Sequence, residues 1–171
     1  TLYLTMAIPN TEIKTIYKNS IAYWFEQRMK ETDRSPLKHA LEAGDCEAAE
    51  DFINEQLFQT ISYYDYAENF YQGFMLGILT NIGGYRVKSN RESGNGRPDI
   101  VMTETKFRGR AMILELKISD TIQGMEKKCE EAFTQMKEQN YAAPLEEDGY
   151  QPILKYAICF FKKGCMVKKA E

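Results

Sequence analysis

The sequence predicts a mixed α/β (α+β) fold in which several helices come first and a β-β-β-α-β run follows. Two observations support this order. Apolar residues recur every three or four positions through the first half of the chain, which is the spacing of amphipathic helices. After Gly84, short apolar stretches alternate with polar turns, which is typical of strands. The 171 residues are enough for one domain with its own hydrophobic core.

The first half is predicted to contain four amphipathic helices. Gly44 ends the second of them, and Asp45 directly afterwards caps the third. The pair Gly83-Gly84 ends the fourth, because glycine readily adopts the left-handed conformation that closes a helix. The predicted helices cover residues 11–25, 36–43, 45–57 and 65–82.

The second half is predicted to form a sheet with one further helix inserted before its last strands. We expect a single domain in which residues 65–171 form the core and residues 1–64 form a helical N-terminal extension. The predicted strands cover residues 85–89, 99–103, 111–118, 153–161 and 165–167, the inserted helix residues 121–141, and an acidic loop residues 144–152.

Charge is unevenly distributed along the chain. The net charge of −3 excludes a surface that is basic throughout. Residues 26–68 contain 11 acidic and 4 basic side chains, whereas residues 86–128 contain 10 basic and 6 acidic ones. A basic middle and tail could therefore contact phosphate, although a solvated surface explains the same counts.

Cysteine usage and hydropathy indicate the cellular compartment. The four cysteines have no CxxC spacing and the chain has a single histidine, which argues against a zinc site and against a disulfide framework. No apolar run approaches the ~20 residues that a membrane-spanning helix needs. We therefore expect a cytoplasmic protein with no membrane partner.

Two carboxylates and a lysine are predicted to meet on the hairpin formed by the second and third strands. If the hairpin turns at Phe107, Asp99 lies opposite Glu115 with the Cβ atoms about 4.5–5.5 Å apart on one face. Lys117 is two residues further along the strand and therefore shares that face. Adjacent carboxylates repel each other, and a divalent cation bound between them relieves the repulsion.

An ordinary half-exposed strand is the alternative for this segment. In that interpretation Leu114 and Leu116 face the core, and Glu115 and Lys117 face solvent. The face that carries Glu115 is partly apolar, however, and a surface hairpin favours a lysine over a second carboxylate opposite Asp99. The residue pattern leaves both interpretations open.

The same residues resemble the signature of the PD-(D/E)XK nuclease superfamily. Pro98-Asp99 is followed, after fifteen residues, by Glu115-Leu116-Lys117. The resemblance implies a restriction-endonuclease-like core with the order α-β-β-β-α-β, in which helices flank a mixed central sheet.

The flanking sequence is similar to one bacterial branch of that superfamily, in which the nuclease-like domain follows an AAA-ATPase-like domain. The similar segments are residues 7–13, 68–79, 89–102 and 132–141, so the resemblance extends over nearly the whole chain. It implies an ATPase domain as a partner, on a part of the polypeptide that this chain does not include, because the chain has no P-loop motif.

The resemblance also implies a role for each residue that matches a motif. Asp99 and Glu115 match the acidic residues that bind the metal, and the backbone carbonyl of Leu116 completes that set. Lys117 matches the lysine that positions or activates the attacking water and balances charge at the scissile phosphate.

Further candidates lie on the flanking elements. Glu92 matches an acidic position before the second strand, and Gln135 matches a polar position on the following helix. Glu68 would supply another carboxylate from the preceding helix. Arg91 and Arg97, in the glycine-rich loop, are candidates for phosphate contacts, or they hold the loop by binding Glu92 or backbone carbonyls.

These assignments predict a nuclease that depends on Mg²⁺ or Mn²⁺ and cleaves nucleic acid, with DNA favoured over RNA as the substrate. Two other functions fit the sequence. One is a catalytically silent nuclease fold that binds nucleic acid or a protein partner, and the other is a purely structural dimerisation domain. The presence of both carboxylates and the lysine favours the enzyme, and an oligomer is compatible with either function.

Overall fold

The structure is a computed structural model that describes residues 32–60, 68–80, 82–89 and 96–170, except for the side chains of Thr60, Glu68 and Asn69. The predicted helix at residues 11–25 lies outside the described residues. The compact unit that contains the elements below runs from Asp33 to Glu171. The division of the chain at residue 65 stays a prediction.

In the described part of the chain, three helices precede the sheet. Gly44, with φ of 75°, ends the first helix as predicted. The backbone N–H of Ala48 donates to Oδ1 of Asp45 at 3.0 Å, which confirms the predicted cap of the second. The third helix ends at Leu79, three residues before the predicted end, and the chain then turns through Gly84 with φ of 89°. The helices are α1 (Ser35–Ala43), α2 (Cys46–Thr60) and α3 (Glu68–Leu79).

The five strands form one mixed sheet in the order β1-β2-β3-β4-β5. All neighbouring pairs are antiparallel except β3 and β4, which are parallel and are joined by a helical crossover. The central strand of the five is therefore β3. The strands are β1 (Tyr85–Ser89), β2 (Ile100–Glu104), β3 (Ala111–Ile118), β4 (Ile153–Phe161) and β5 (Gly164–Lys169).

The crossover between β3 and β4 contains two helices, α4 (Met125–Glu138) and α5 (Ala143–Glu147). The predicted helix at residues 121–141 was too long, because hydrogen-bonded turns occupy both ends. At its start, the N–H of Gly124 donates to Oγ1 of Thr121 at 3.0 Å. The predicted acidic loop at residues 144–152 begins within α5, where Pro144 occupies the first turn, a position that tolerates proline.

Helices cover both faces of the sheet. On one face, α4 packs in a core cluster that includes Ile113 and Cys159. Side chains alternate along a strand, so Phe160 points to the opposite face, where Tyr71 of α3 stacks on its ring with centroids 4.4 Å apart. Asn54 of α2 ties that helix to the sheet edge by accepting a hydrogen bond from the N–H of Cys165. This mixed sheet between helices agrees with the predicted restriction-endonuclease-like core.

All four cysteines are free thiols. Cys46 is half-buried, whereas Cys129, Cys159 and Cys165 are buried. In the part of the chain that the structure describes, no helix is both long and apolar enough to cross a membrane.

Candidate active site

The β2–β3 hairpin has the register that the sequence predicts. Ile100 pairs with Leu114 and Val101 pairs with Ile113, which centres the turn on Phe107. Asp99 directly precedes β2 and therefore stands across from Glu115 at the end of the ladder. Its Oδ2 accepts a hydrogen bond of 2.8 Å from the N–H of Leu116, so its side chain reaches across to β3.

Lys117 connects the hairpin to α4. Its Nζ donates to Oε1 of Glu115 at 3.1 Å and to Oε1 of Gln135 at 2.6 Å. The ammonium group is therefore held between a carboxylate of the same strand and an amide of the following helix. Four of the predicted site residues, Asp99, Glu115, Lys117 and Gln135, thus come together as expected.

Tyr141 is part of this network and was not among the predicted site residues. The side-chain amide nitrogen of Gln135 donates to the Tyr141 hydroxyl at 2.9 Å. The amide oxygen of Gln135 therefore faces Lys117, from which it accepts a hydrogen bond. Burial is the main cause that raises the pKa of Tyr141 above its ordinary value, so the hydroxyl stays protonated at neutral pH. This contact was not predicted, because the helix was expected to continue through residue 141. The chain leaves α4 at Glu138, and Asn140 turns it back with φ of 48°.

Glu115 is a buried carboxylate. Glu115 is only 2% exposed to solvent. An ordinary half-exposed strand with Glu115 facing solvent is therefore excluded for this segment. Burial first, and the charge of Asp99 second, raise the pKa of Glu115 to about 7, against the lowering effect of Lys117. Within the described parts of the chain, Oε2 of Glu115 has no hydrogen-bond partner. A polar atom buried without a partner indicates a site that something else is needed to complete.

A cleft of about 200 Å³ adjoins these residues at the end of the sheet. This volume is below the ~300–1,000 Å³ that small-molecule sites usually measure, and it is sufficient for a phosphate group. Gln72 on its α3 side donates a hydrogen bond of 3.4 Å to Ser89. The cleft is lined by Tyr71, Gln72, Asp99, Leu116, Lys117, Ile118 and Phe160.

Four predicted site residues lie on the flanking elements, and the structure describes the side chain of one of them, Arg97. Glu92 and Arg91 lie outside the described residues. Glu68 is the first residue of α3, and its side chain is not among those described. Arg97 lies just before the buried Pro98 with its side chain exposed to solvent.

The family comparison gives the site its context. Residues 66–170, more than half of the chain, match the PD-(D/E)XK nuclease superfamily. The chain belongs to this superfamily. The comparisons with curated proteins and with solved structures gave no match. Membership in the PD-(D/E)XK superfamily indicates a nuclease-type function, with nucleic acid as the substrate class.

Nucleases of the PD-(D/E)XK superfamily typically use divalent metal ions. Among the residues that the structure describes, no group of three histidine, cysteine or acidic side chains could hold a metal. Asp99 and Glu115 nevertheless fit a hard cation in their chemistry, because such ions prefer carboxylate oxygens. The buried Oε2 of Glu115, without a hydrogen-bond partner in the described structure, is the observation that supports this fit.

We expect Tyr141→Phe to weaken the hold on Lys117 without removing any charged group. The amide of Gln135 loses its acceptor, so the free energy of unfolding should fall by about 1 kcal/mol. Cleavage should slow with little change in KM, and by less than removal of Lys117 would cause. Single-turnover kinetics and urea denaturation measure both effects, with Tyr150→Phe, a half-buried tyrosine on no predicted site element, as the control. A Tyr141→Phe protein as active and as stable as wild type would contradict the role of this hydroxyl.

Proposed function

We propose that this protein is a nuclease, a hydrolase of phosphodiester bonds in DNA, that depends on Mg²⁺ or Mn²⁺. The observation that carries the proposal is the position of Lys117 Nζ, which donates to both Glu115 and Gln135 beside a cleft that Asp99 also lines. A buried carboxylate and an ordered ammonium group around a phosphate-sized cleft suit hydrolysis of a phosphodiester better than simple binding.

The acidic residues are proposed to hold the metal ion. Asp99 and Glu115 supply carboxylate oxygens, and the carbonyl of Leu116 supplies a third ligand. Glu92 and Glu68 would add carboxylates from the neighbouring elements. When bound, the ion polarises the phosphoryl oxygen and lowers the pKa of a coordinated water.

Lys117 is proposed to act on the attacking water and on the developing charge of the phosphate. Its contacts with Glu115 and Gln135 occupy two of the three N–H donors of the ammonium group. The third can point to a water or a phosphate oxygen in the cleft. Because Gln135 is itself fixed by Tyr141, Lys117 is oriented before substrate arrives, which is the preorganisation that catalysis by fixed dipoles and charges needs.

The proposal also includes phosphate contacts next to the scissile bond and a partner domain. Arg91 and Arg97 would contact phosphates on either side of the scissile bond. The ATPase partner domain is proposed from the sequence resemblance described above, and DNA is the proposed substrate.

A cleavage assay with one matched pair of variants tests the proposal. Labelled single-stranded and duplex DNA and RNA are incubated with Mg²⁺, with Mn²⁺ and with EDTA. We expect cleavage with metal and none with EDTA. Asp99→Asn should abolish cleavage, whereas Asp120→Asn, at an exposed aspartate just after β3, should not.

The two ways in which this assay can fail have different meanings. Equal cleavage by wild type and Asp99→Asn would place the activity at another site or in a contaminant. Binding of nucleic acid by wild type without cleavage in either metal would instead support the catalytically silent module.

A further inference from the structure

Two aromatic rings, each with a lysine ammonium over it, lie at the turn between β4 and β5. Lys162 Nζ is 5.1 Å from the centre of the Phe161 ring, and Lys163 Nζ is 5.3 Å from the centre of the Phe58 ring. Lys162 has φ of 51°, the conformation of a tight turn, and its side chain is exposed. We call Phe58, Phe161, Lys162 and Lys163 the turn patch.

The turn patch combines apolar exposure with positive charge. Phe58 is 74% exposed at the C-terminal part of α2, so the fold gains little from its ring. A single exposed phenylalanine is common on protein surfaces and needs no explanation by itself. What distinguishes Phe58 is the ammonium group of Lys163 over its ring and the position of the adjoining turn relative to the cleft.

The turn patch is linked to the cleft through Tyr71 and the end of β4. Phe160 lines the cleft and directly precedes Phe161 of the patch. Tyr71, another lining residue, stacks on the Phe160 ring and donates its hydroxyl hydrogen bond to the carbonyl of Lys162 at 2.8 Å. In the parallel β3–β4 register, Phe160 lies beside Ile118, the residue after Lys117. Lys117 itself pairs with Cys159, and the turn begins three residues later, at Lys162. At about 3.3 Å per residue, this separation is roughly 10 Å.

The chemistry of the turn patch suits one form of nucleic acid. Lysine ammonium groups pair with backbone phosphates, and an exposed aromatic ring stacks on the face of a base. Inside a duplex, both faces of a base are covered by its neighbours, so only an unpaired base can stack on a protein ring. We infer that the turn patch binds an unpaired strand of the substrate, with a base on Phe58 and phosphates on Lys162 and Lys163.

This inference rests on the proposed function and adds the structural class of the substrate. The cleft of about 200 Å³ accommodates the scissile phosphate and leaves the flanking nucleotides outside it. The turn patch provides a surface for them. Although Phe58 lies within the acidic stretch of residues 26–68, its contribution is an uncharged ring, and the positive charge comes from the tail of the chain.

The opposite end of the sheet offers a matched control. Phe107 is 83% exposed at the β2–β3 turn, and the guanidinium of Arg108 lies 5.1 Å from the centre of its ring. The local chemistry is that of the turn patch. Phe107 lies beyond the start of β3, however, and Ala111 at that start is already four residues, about 13 Å, from Glu115.

The test measures binding in EDTA, where no metal-dependent cleavage occurs. Fluorescence anisotropy gives Kd for labelled single-stranded DNA, for a blunt duplex and for a duplex with a single-stranded overhang. We expect tighter binding of the two substrates with unpaired nucleotides. Phe58→Ala should raise their Kd at least about fivefold, the lower end for the loss of one stacked base. Phe58→Leu, which keeps apolar volume without a ring, should behave like Phe58→Ala, and Phe107→Ala should change Kd by less than about twofold.

The two lysines are tested by salt dependence. For single-stranded DNA, the slope of log K against log salt falls by about 0.7 for each phosphate contact that is lost. The double variant Lys162→Ala/Lys163→Ala should therefore reduce the slope by about 1.4. An unchanged slope would overturn the assignment of these lysines to phosphates.

Other results would overturn the inference as a whole. One is equal Kd values for Phe58→Ala and Phe107→Ala, and another is equal affinity for the blunt duplex and the single strand. A dimer seen in sedimentation that Phe58→Ala abolishes would assign the turn patch to a second copy of this chain. Cleavage that does not depend on Phe58 would contradict this inference alone. Phe58-dependent binding without any cleavage would contradict the proposed function alone.

Discussion

Replacing Lys117 by methionine is expected to slow metal-dependent cleavage by about 10²–10⁴-fold, the range for loss of a positioned proton-transfer group. Methionine keeps most of the length of the side chain and removes the ammonium group that contacts Glu115 and Gln135. The effect should appear in kcat, because the lysine is proposed to act on the attacking water and on charge that develops in the transition state.

A matched control separates this loss from a general effect of removing a lysine. Lys128→Met removes an exposed lysine on α4 that pairs with Glu131 at the surface, and it should leave kcat unchanged. Both carboxylates remain in Lys117→Met, so added Mn²⁺ should still raise its Tm. If Lys117→Met cleaves at the wild-type rate, the site proposed for the reaction is wrong.

The second large effect concerns the stability of the metal-free protein and its dependence on pH. Glu115 loses its proton near its ordinary pKa of 4.5 when the chain is unfolded, but only near 7 in the folded protein. Between these values the folded state binds more protons than the unfolded state, so wild-type stability should fall as pH rises from about 4.5 to about 7. A difference of this size corresponds to about 3 kcal/mol at pH 8, at 1.36 kcal/mol per pKa unit.

Glu115→Gln removes that titration and keeps the shape of the side chain. In EDTA we expect the two proteins to be similarly stable near pH 4.5, and the variant to be more stable by up to about 3 kcal/mol at pH 8. For a chain of this size, that is a Tm difference of roughly 6–12 °C. Urea denaturation and thermal melts at both pH values measure it.

Metal should narrow the difference in stability between the two proteins. An ion that binds only the folded state stabilises it by about 1.4 kcal/mol at ten times Kd. This should raise the wild-type Tm by roughly 3–6 °C, and Glu115→Gln should lose most of that rise. Asp99→Asn should lose it as well, because it removes the other carboxylate of the pair. The metal site would have to be abandoned if Mn²⁺ raised all three Tm values equally.

The hairpin could be predicted from the sequence because its determinants are local. The apolar runs on either side of Phe107 fix one turn, and that turn fixes the register that places Asp99 across from Glu115. The bounds of β3, Ala111–Ile118, agree with the prediction to the residue for the same reason.

Other features could not be predicted because they depend on packing between distant segments. Strand alternation places Glu115 on a face, but only the arrangement of α4 and β4 around it decides that this face is buried. The contact of Tyr141 with Gln135 required knowing where α4 ends, and apolar periodicity continues past Glu138 without marking that end. The burial of Glu115 and the role of Tyr141 are therefore results of the tertiary structure.

The hydrogen bonds of the site and the contacts on the opposite face of the sheet differ in sequence separation. The bonds that join Asp99 to β3, Lys117 to Gln135 and Gln135 to Tyr141 span 17, 18 and 6 residues. Closing such short loops costs little chain entropy, so this hydrogen-bond network can form within one contiguous segment of the polypeptide.

The contacts on the opposite face of the sheet, by contrast, join segments that are far apart along the chain. The contact of Tyr71 with the β4–β5 turn spans 91 residues, and the hydrogen bond from Tyr156 to the carbonyl of Leu41 spans 115. A substitution that loosens α3 therefore exposes the side of the cleft that Tyr71 lines, whereas α4 covers the face that carries Glu115. Remote destabilisation of this protein should thus open the cleft to water first, while the order of donors and acceptors around Lys117 is retained.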